Sequence, residues 1–443
     1  MTTEKKAAFL TTTYSAYSHN QVPAEDVELT HVGPGTPCGE YMRRFWQPLP
    51  IFQEPTDLPI RFRLLGEDLV VFRDKSGHVG VLELHCSHRG TSLEFGRIEE
   101  HGIRCCYHGW QFDVDGRILD TPGEPPESTF KDRLCHGAYP VQEYEGLIFT
   151  YMGPPETMPP FPNFSSFKIK GYHRSMGRRD ITPCNWLQVT ENAVDPTHTA
   201  FLHSSISGGQ FMDDNGNAVM EFAEIGELDF VETPAGVVYI NTRRIGNDVW
   251  VRIGELVHSN MQQTPGHPKF PAQYENGKKE LCFNPRFTKW IIPMDDTNTM
   301  SILVNHVKDG TENLSHVNPA LGPSGGNADD RPYDEMQRNP GDYEAEVSQR
   351  PIAVHAMERL GYADRGITLF RRQLRQGIRT VQSGQDPKGV IREDGKVIPT
   401  FATDTILSIP PAATPEEDRQ LLRETGRKVI TNYIESPPHD VSL

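Results

Sequence analysis

The chain has 443 residues, 36% hydrophobic and 23% charged, an ordinary globular composition on a length that exceeds one small core and predicts two domains. Its formal net charge of −16 excludes the basic surface of a nucleic-acid binder, and no stretch reads as a membrane span or, in "MTTEKKAAFLTTTYSAYSHN", as a signal peptide. Seven scattered cysteines, at 38, 86, 105, 106, 135, 184 and 282, predict reduced thiols in a cytoplasmic protein, not a disulfide frame.

In chain order, a lead-in (residues 1–45) contains most of "TPCGEYMRRFWQPL", which predicts a helix ending before Pro48. From residue 60, "IRFRLLGEDLVVFRDKSGHVGVLEL" alternates apolar and polar side chains between the turn-forming "GED" and "DKSGH". Strands continue through "WQFDVDGRIL", with Asp115-Gly116 as a hairpin tip, to "EGLIFTYMG". Residues 46–160 therefore read as a small all-β domain. Five prolines between 154 and 162 predict a stiff connector.

The second domain, 161–443, opens with a helical segment around 185 to 203. The strands "GVVYINTRRI", "DVWVRIGELVHS", "ELCFNPRFTKWIIP" and "TMSILVNHV" follow. Residues 308 to 342, rich in Gly, Pro, Asn and Asp, predict a long covering loop. Ile367, Phe370, Leu374, Ile378 and Val381 recur at helical steps, and Thr414, Pro415 and Glu417 predict a capping box opening a last helix. The fold class expected is α+β.

"CSHRGTSLEFGRIEEHGIRCCYHGW" (86–110) sets Cys86 one residue from His88 and Cys105 two residues from His108. Zinc fingers with this ligand set tend to pair cysteine with cysteine and histidine with histidine. One thiolate and one imidazole per half suits a [2Fe–2S] centre with two sulfurs on one iron and two imidazoles on the other. Its potential would be roughly −150 to +300 mV. Gly90, Gly96, Gly102 and Gly109 would let backbone N–H groups approach the cluster. The spacing C-x-H-x16-C-x2-H, with "HRG" and "YHGW" flanks, resembles the Rieske signature. Cys106 reads as a small buried filler.

In "NWLQVTENAVDPTHTAFLH" (185–203), His198 and His203 are five residues apart, about 140° around an ideal helix. A straight helix would not aim both at one ion; a π-type turn or a break would. Asp195 reads locally as an N-cap before Pro196. Beside the first motif, Asn185, Trp186, Glu191, Asn192, Asp195, His198, Leu202 and His203 resemble the catalytic motif of Rieske non-haem iron oxygenases, over most of residues 27 to 385. The resemblance implies a helix-grip-type catalytic domain with an antiparallel sheet and flanking helices. It also implies mononuclear Fe(II) on His198, His203 and a later carboxylate, leaving a face open for dioxygen and substrate. Asp334, Asp342, Glu344, Glu346 and Asp364 are available. In the phthalate-dioxygenase-like branch the ligand aspartate precedes a "GPI"-like tripeptide, and "GDYEAEVSQRPI" puts Asp342 at that interval, with Arg350 in the glycine's place.

The same resemblance implies a head-to-tail homotrimer, or a dimer of trimers, in which Asp195 bridges a neighbour's His108 to His198. Electrons would come from NAD(P)H through a separate reductase, with or without a ferredoxin, since no G-x-G-x-x-G fingerprint follows a strand here. The branch acts largely on aromatic carboxylates and methoxylated aromatics. A carboxylate calls for arginine forks, and Arg243, Arg244, Arg252 and Arg286 lie on predicted strands, with Lys289 next. Trp250 and Trp290 read as core. The overall run of the chain looks most like oxygenase components that demethylate lignin-derived biaryl acids such as dehydrodivanillate, where hydroxylation of the methoxy methyl releases formaldehyde. Ring dioxygenation of a phthalate-like acid, a non-catalytic Rieske electron carrier and a zinc-stabilised binding module are the alternatives.

Overall fold

The computed structural model describes residues 10–19, 22–49, 57–206, 211, 218–266, 270, 272–274, 278–310 and 331–438. Three small antiparallel sheets come first. One has the strand order Ile60–Leu64, Glu67–Arg73, Val79–Glu83, Ala138–Tyr139. Another orders Trp46–Pro48, Leu147–Tyr151, Val141–Tyr144. The third strings together Arg97–Ile98, Ile103–Arg104, Gln111–Phe112 and Ile118–Asp120. At its predicted tip the Asp113 carboxylate accepts from the N–H groups of Asp115 (3.0 Å) and Arg117 (2.7 Å). Gly116 follows with φ +83°, where a Cβ would lie 2.2 Å from the His136 carbonyl oxygen.

The lead-in helix is shorter than expected. It spans Pro37–Met42, and Trp46–Pro48 is already strand. Beyond the prolines lies a nine-stranded antiparallel sheet whose backbone order is Tyr172–Thr182, Thr299–Lys308, Pro285–Pro293, Met261–Pro265, Asp248–Val257, Gly236–Ile245, Glu227–Glu232. "ELCFNPRFTKWIIP" divides at Asn284: Glu280–Phe283 pairs with Thr403–Ser408, whereas Pro285–Pro293 pairs with Met261–Pro265 and Thr299–Lys308.

Alternation on these strands decides where the helices go. Val238, Ile240, Val249, Val251 and Ile253 bury against Leu422, Val429 and Ile430 of the helix Pro415–Glu435. That helix has the predicted capping box at Thr414. Phe370, Leu374, Ile378 and Val381 of the helix Arg365–Gln382 join the largest core, with Tyr41, Trp186 and Leu256. Leu69, Val71 and Phe149 of the small sheets belong to the same core. Trp250 and Trp290 are buried, as expected. The α+β expectation, a small all-β part beside a large antiparallel sheet with few helices, is what the chain adopts. Residues 311–330 of the expected loop lie outside the described residues; Tyr333–Arg338 and Asp342–Val347 beyond them are helical. No described helix is long and apolar enough to cross a membrane.

Candidate functional site

Two loops of the same make carry Cys86/His88 and Cys105/His108. In each, the cysteine N–H donates five residues ahead, Cys86 to the Thr91 carbonyl at 2.9 Å and Cys105 to that of Trp110 at 2.8 Å. In each, the glycine four residues on donates back to the cysteine carbonyl, Gly90 at 2.8 Å and Gly109 at 3.1 Å. Both glycines take the left-handed conformation (φ 77° and 74°) that a side chain would strain. The cysteines are buried and the histidines partly exposed, their rings 4.5 Å apart. Trp110 stacks on His88 at 4.7 Å and 6°.

Burial, opposed by the His88 N–H and helped by the Cys105 thiol, pushes the Cys86 thiol up to about 11. Two crowded thiols, and a buried His88 Nδ1 without a hydrogen-bond partner, fit a metal group that takes two sulfurs and two imidazoles. Cys106 is exposed, not a buried filler. It follows Cys105 into the loop, where the chain turns outward to present His108.

The second constellation is built on an interrupted helix. Trp186–Asn192 starts under Asn185, whose side-chain oxygen accepts from the Leu187 N–H at 3.1 Å. The Asn185 amide donates to the carbonyls of Thr30 (2.8 Å) and Asp296 (2.6 Å), fixing where the helix points. After a break, Asp195 accepts from the Thr197 N–H at 2.9 Å, which closes a turn ahead of the helix; the N-cap of the helix beginning at His198 is Thr197, not Asp195 as expected. One π-turn, Phe201–Ile206, follows. Its extra residue per turn brings the His198 and His203 rings to 5.1 Å.

Asp342 meets them from the helix Asp342–Val347. Its Oδ1 lies 3.1 Å from His203 Nε2 and 3.8 Å from His198 Nε2, and ligand atoms of all three residues fall within 4.8 Å of one another. Asn192 donates to the same oxygen at 3.0 Å. Gly341, not Asp342, caps that helix. Among the other carboxylates, Asp334 is exposed, Glu344 pairs with Arg331 and the Gly341 N–H, and Asp364 accepts from the Gly361 N–H. Glu346 is buried one turn from Asp342, and burial pushes it up to about 8.

Burial would raise the Asp342 carboxyl, but the hydrogen bond and charge of His203, then the charge of His198, hold it well below the usual range. Burial also holds His198 below an ordinary imidazole, in the neutral form a metal needs. The other His198 nitrogen, Nδ1, is buried without a hydrogen-bond partner, 3.8 Å from Asp195 Oδ2. The donor set, two neutral imidazoles and one carboxylate, fits a single iron with an open face.

The four arginines separate. Arg244 forks onto Asp418 of the last helix, and Arg286 is half-buried on its strand. Arg252 pairs with the fully buried Asp404 at 2.7 Å. Arg243 is 2% exposed, gives Nε to the Glu224 carbonyl at 2.7 Å, and lies over the rings of Trp250 (4.8 Å) and Phe222 (5.6 Å). Its Nη1 has no hydrogen-bond partner.

Two rings connect that cation to the second constellation: Phe211 is 5.1 Å from His203 and 4.2 Å from Phe222. Phe211 gave no signal in the sequence, since an aromatic residue beyond a motif has no local pattern. Asn192 stood inside the motif without a role until its bond to Asp342 was seen. Glu191, His355 and Glu358 also converge, but Arg371 forks onto both carboxylates at 2.5 to 2.9 Å, which makes that group a closed ion-pair network.

Comparison with known proteins matches residues 51–145 to the Rieske [2Fe-2S] domain and residues 182–319 to the vanillate O-demethylase oxygenase C-terminal domain. The chain is 38% identical to the tert-butanol monooxygenase / tert-amyl alcohol desaturase oxygenase subunit of Aquincola tertiaricarbonis, over 95% of this chain and 91% of that protein. It is 37% identical to the phenoxybenzoate dioxygenase subunit alpha of Ectopseudomonas oleovorans (85% and 90% covered). Identity to the 5,5'-dehydrodivanillate O-demethylase oxygenase subunit of a Sphingobium species is 32% (86% and 87% covered).

Proposed function

This chain belongs to the Rieske non-haem iron oxygenases, and on that premise we propose that it is the terminal component of a cytoplasmic system that oxidises two-ring aromatic carboxylates, by O-demethylation of a methoxylated biaryl acid. A [2Fe–2S] cluster and a mononuclear iron are the cofactors of this family, the one supplying single electrons and the other dioxygen activation. In our reading Cys86, His88, Cys105 and His108 hold the cluster within residues 46–160. His198, His203 and Asp342 hold the iron within 161–443. The observation that carries this is the convergence of those last three side chains within 4.8 Å.

The remaining residues position and select. Asn192 fixes the Asp342 oxygen it donates to. Asp195 stands behind His198, at the nitrogen turned away from Asp342, where it orients the ring and offers a bridge to a neighbouring chain's His108. Arg252 and Arg243 are two buried cations beside one buried carboxylate, Asp404, so Arg243 suits an anionic partner from outside the chain. It lies beyond Phe211 and Phe222 from His203, so a carboxylate held there stands well away from the oxidised carbon. That supports an acid like those named for the phenoxybenzoate and dehydrodivanillate relatives over a tertiary alcohol, for which a buried cation has no use.

As an oxygenase component the protein takes electrons from a reductase; we propose an NAD(P)H-dependent one, and a head-to-tail homotrimer. The test supplies a surrogate reductase, NADH and a panel of methoxylated biaryl acids, phenoxybenzoates, phthalate and tert-butanol. Formaldehyde released from the biaryl acids is the expected result. Diol formed from phthalate without formaldehyde overturns demethylation, and turnover of tert-butanol alone overturns the aromatic acid.

A further inference from the structure

A cavity lies apart from both candidate centres, where the sheet holding Trp46–Pro48 and Leu147–Tyr151 meets the large sheet beneath the proline connector. It contains about 760 Å³ of atom-free space, part of it open to solvent. Trp46, Tyr144, Phe149, Phe161, Phe167 and Trp290 wall it. The wall is continuous, with Phe149 at 5.0 Å from Phe161 and 5.6 Å from Trp290. None of the proposed metal-binding residues lines it.

The polar groups of the cavity are nearly all engaged. The Asn260 amide donates to the Gln47 side chain and the Ile291 carbonyl, and Ser259 donates to Asn260. His258 is held between Tyr41 and Gln373, and Lys396 pairs with Glu393. Arg44 is the exception. Its Nε is shielded from water with no hydrogen-bond partner, and among the described residues no carboxylate lies within ion-pair distance of it; Asp386 feels its charge but is forked by Arg392. A guanidinium left open beside aromatic walls is complementary to a planar ring bearing a carboxylate: the ring stacks and the fork takes both oxygens.

We propose that this cavity is a second binding site, for a planar aromatic carboxylate, with its ring between Trp46, Phe161 and Trp290 and its carboxylate on Arg44. The site needs neither metal and stands independently of the reading above. An occupant touches strands of both the small sheet and the large one, so binding stabilises their contact.

The probe is 2-naphthoate, titrated by equilibrium dialysis into the holoenzyme while tryptophan fluorescence reports on Trp46 and Trp290. One bound equivalent that changes the fluorescence is expected in wild type and in Arg243→Met, which separates this cavity from the proposed substrate site. Arg44→Gln weakens that equivalent at least tenfold with iron content and turnover unchanged, and Val390→Trp, which fills the cavity, abolishes it. Failure of wild type to bind, loss of the equivalent in Arg243→Met, or wild-type affinity in either cavity variant overturns the proposal.

Discussion

Asp195 serves its own chain by closing the turn before His198 and its neighbour as a proposed bridge, and one substitution separates the two roles. Asp195→Asn keeps an oxygen for the Thr197 N–H but loses the charge beside His198. Three irons per chain should remain by elemental analysis, while NADH-driven turnover falls about 10- to 100-fold, the usual loss when a metal ligand's supporting group is removed. Unchanged turnover removes Asp195 from the electron route. Arg243→Met makes the opposite kind of test. Deleting a buried cation that lacks a full partner should leave the melting temperature no lower. The KM for a biaryl acid should rise roughly 30-fold, about 2 kcal/mol of lost charge pairing; an unchanged KM assigns the anion to another residue. The cysteine–histidine spacing and the pair His198/His203 were legible because spacing is a local property. Choosing Arg243 among four arginines was not, because partnership with Asp404 or Asp418 is set by a strand and a helix more than 150 residues away in sequence.

At the scale of elements, residues 60–85 were legible from alternation and the last two helices from period and capping. Between 236 and 308 the long strands were legible, but Met261–Pro265 was not, and 280–293 read as one strand where there are two. The break and π-turn at 193–206 were legible only as a geometric requirement: histidines five apart cannot share a straight helix. The large sheet also hides a titrating group. Glu255, on Asp248–Val257, is fully buried and accepts from Thr233 (3.2 Å) and the Phe401 N–H (2.6 Å). Burial, despite those bonds, pushes it up to about 8. The folded state therefore holds this proton more tightly than the unfolded chain does. The stability it contributes is complete below about pH 4.5 and is lost as pH rises toward 8. Glu255→Gln, which presents an amide to Thr233, should gain on wild type by up to about 1.4 kcal/mol per pH unit across that window. Urea melts at three pH values check this, and parallel pH profiles overturn it.

For the whole molecule, exposed apolar side chains flank both constellations: Phe95 and Tyr107 near the cysteine loops, Phe201 and Ile206 beside His203. Those surfaces suit the head-to-tail docking proposed above. Co-expressing Cys86→Ser, which lacks a cluster, with Asp342→Ala, which lacks the iron, should restore turnover that neither variant has alone. No restoration means that electrons stay within one chain. Composition and spacing carried no trace of that geometry, which came only with the motifs' resemblance; an interface between copies depends on surfaces assembled by the finished fold.

The matched loops bearing Cys86 and Cys105 are each closed by two main-chain hydrogen bonds that involve no sulfur and no imidazole. Their shape is a property of the polypeptide, so the cradle can be finished on folding and loaded later. Delivery of iron and sulfide then becomes a filling step on a ready mould, and gentle stripping should leave a chain that accepts a new cluster without being refolded.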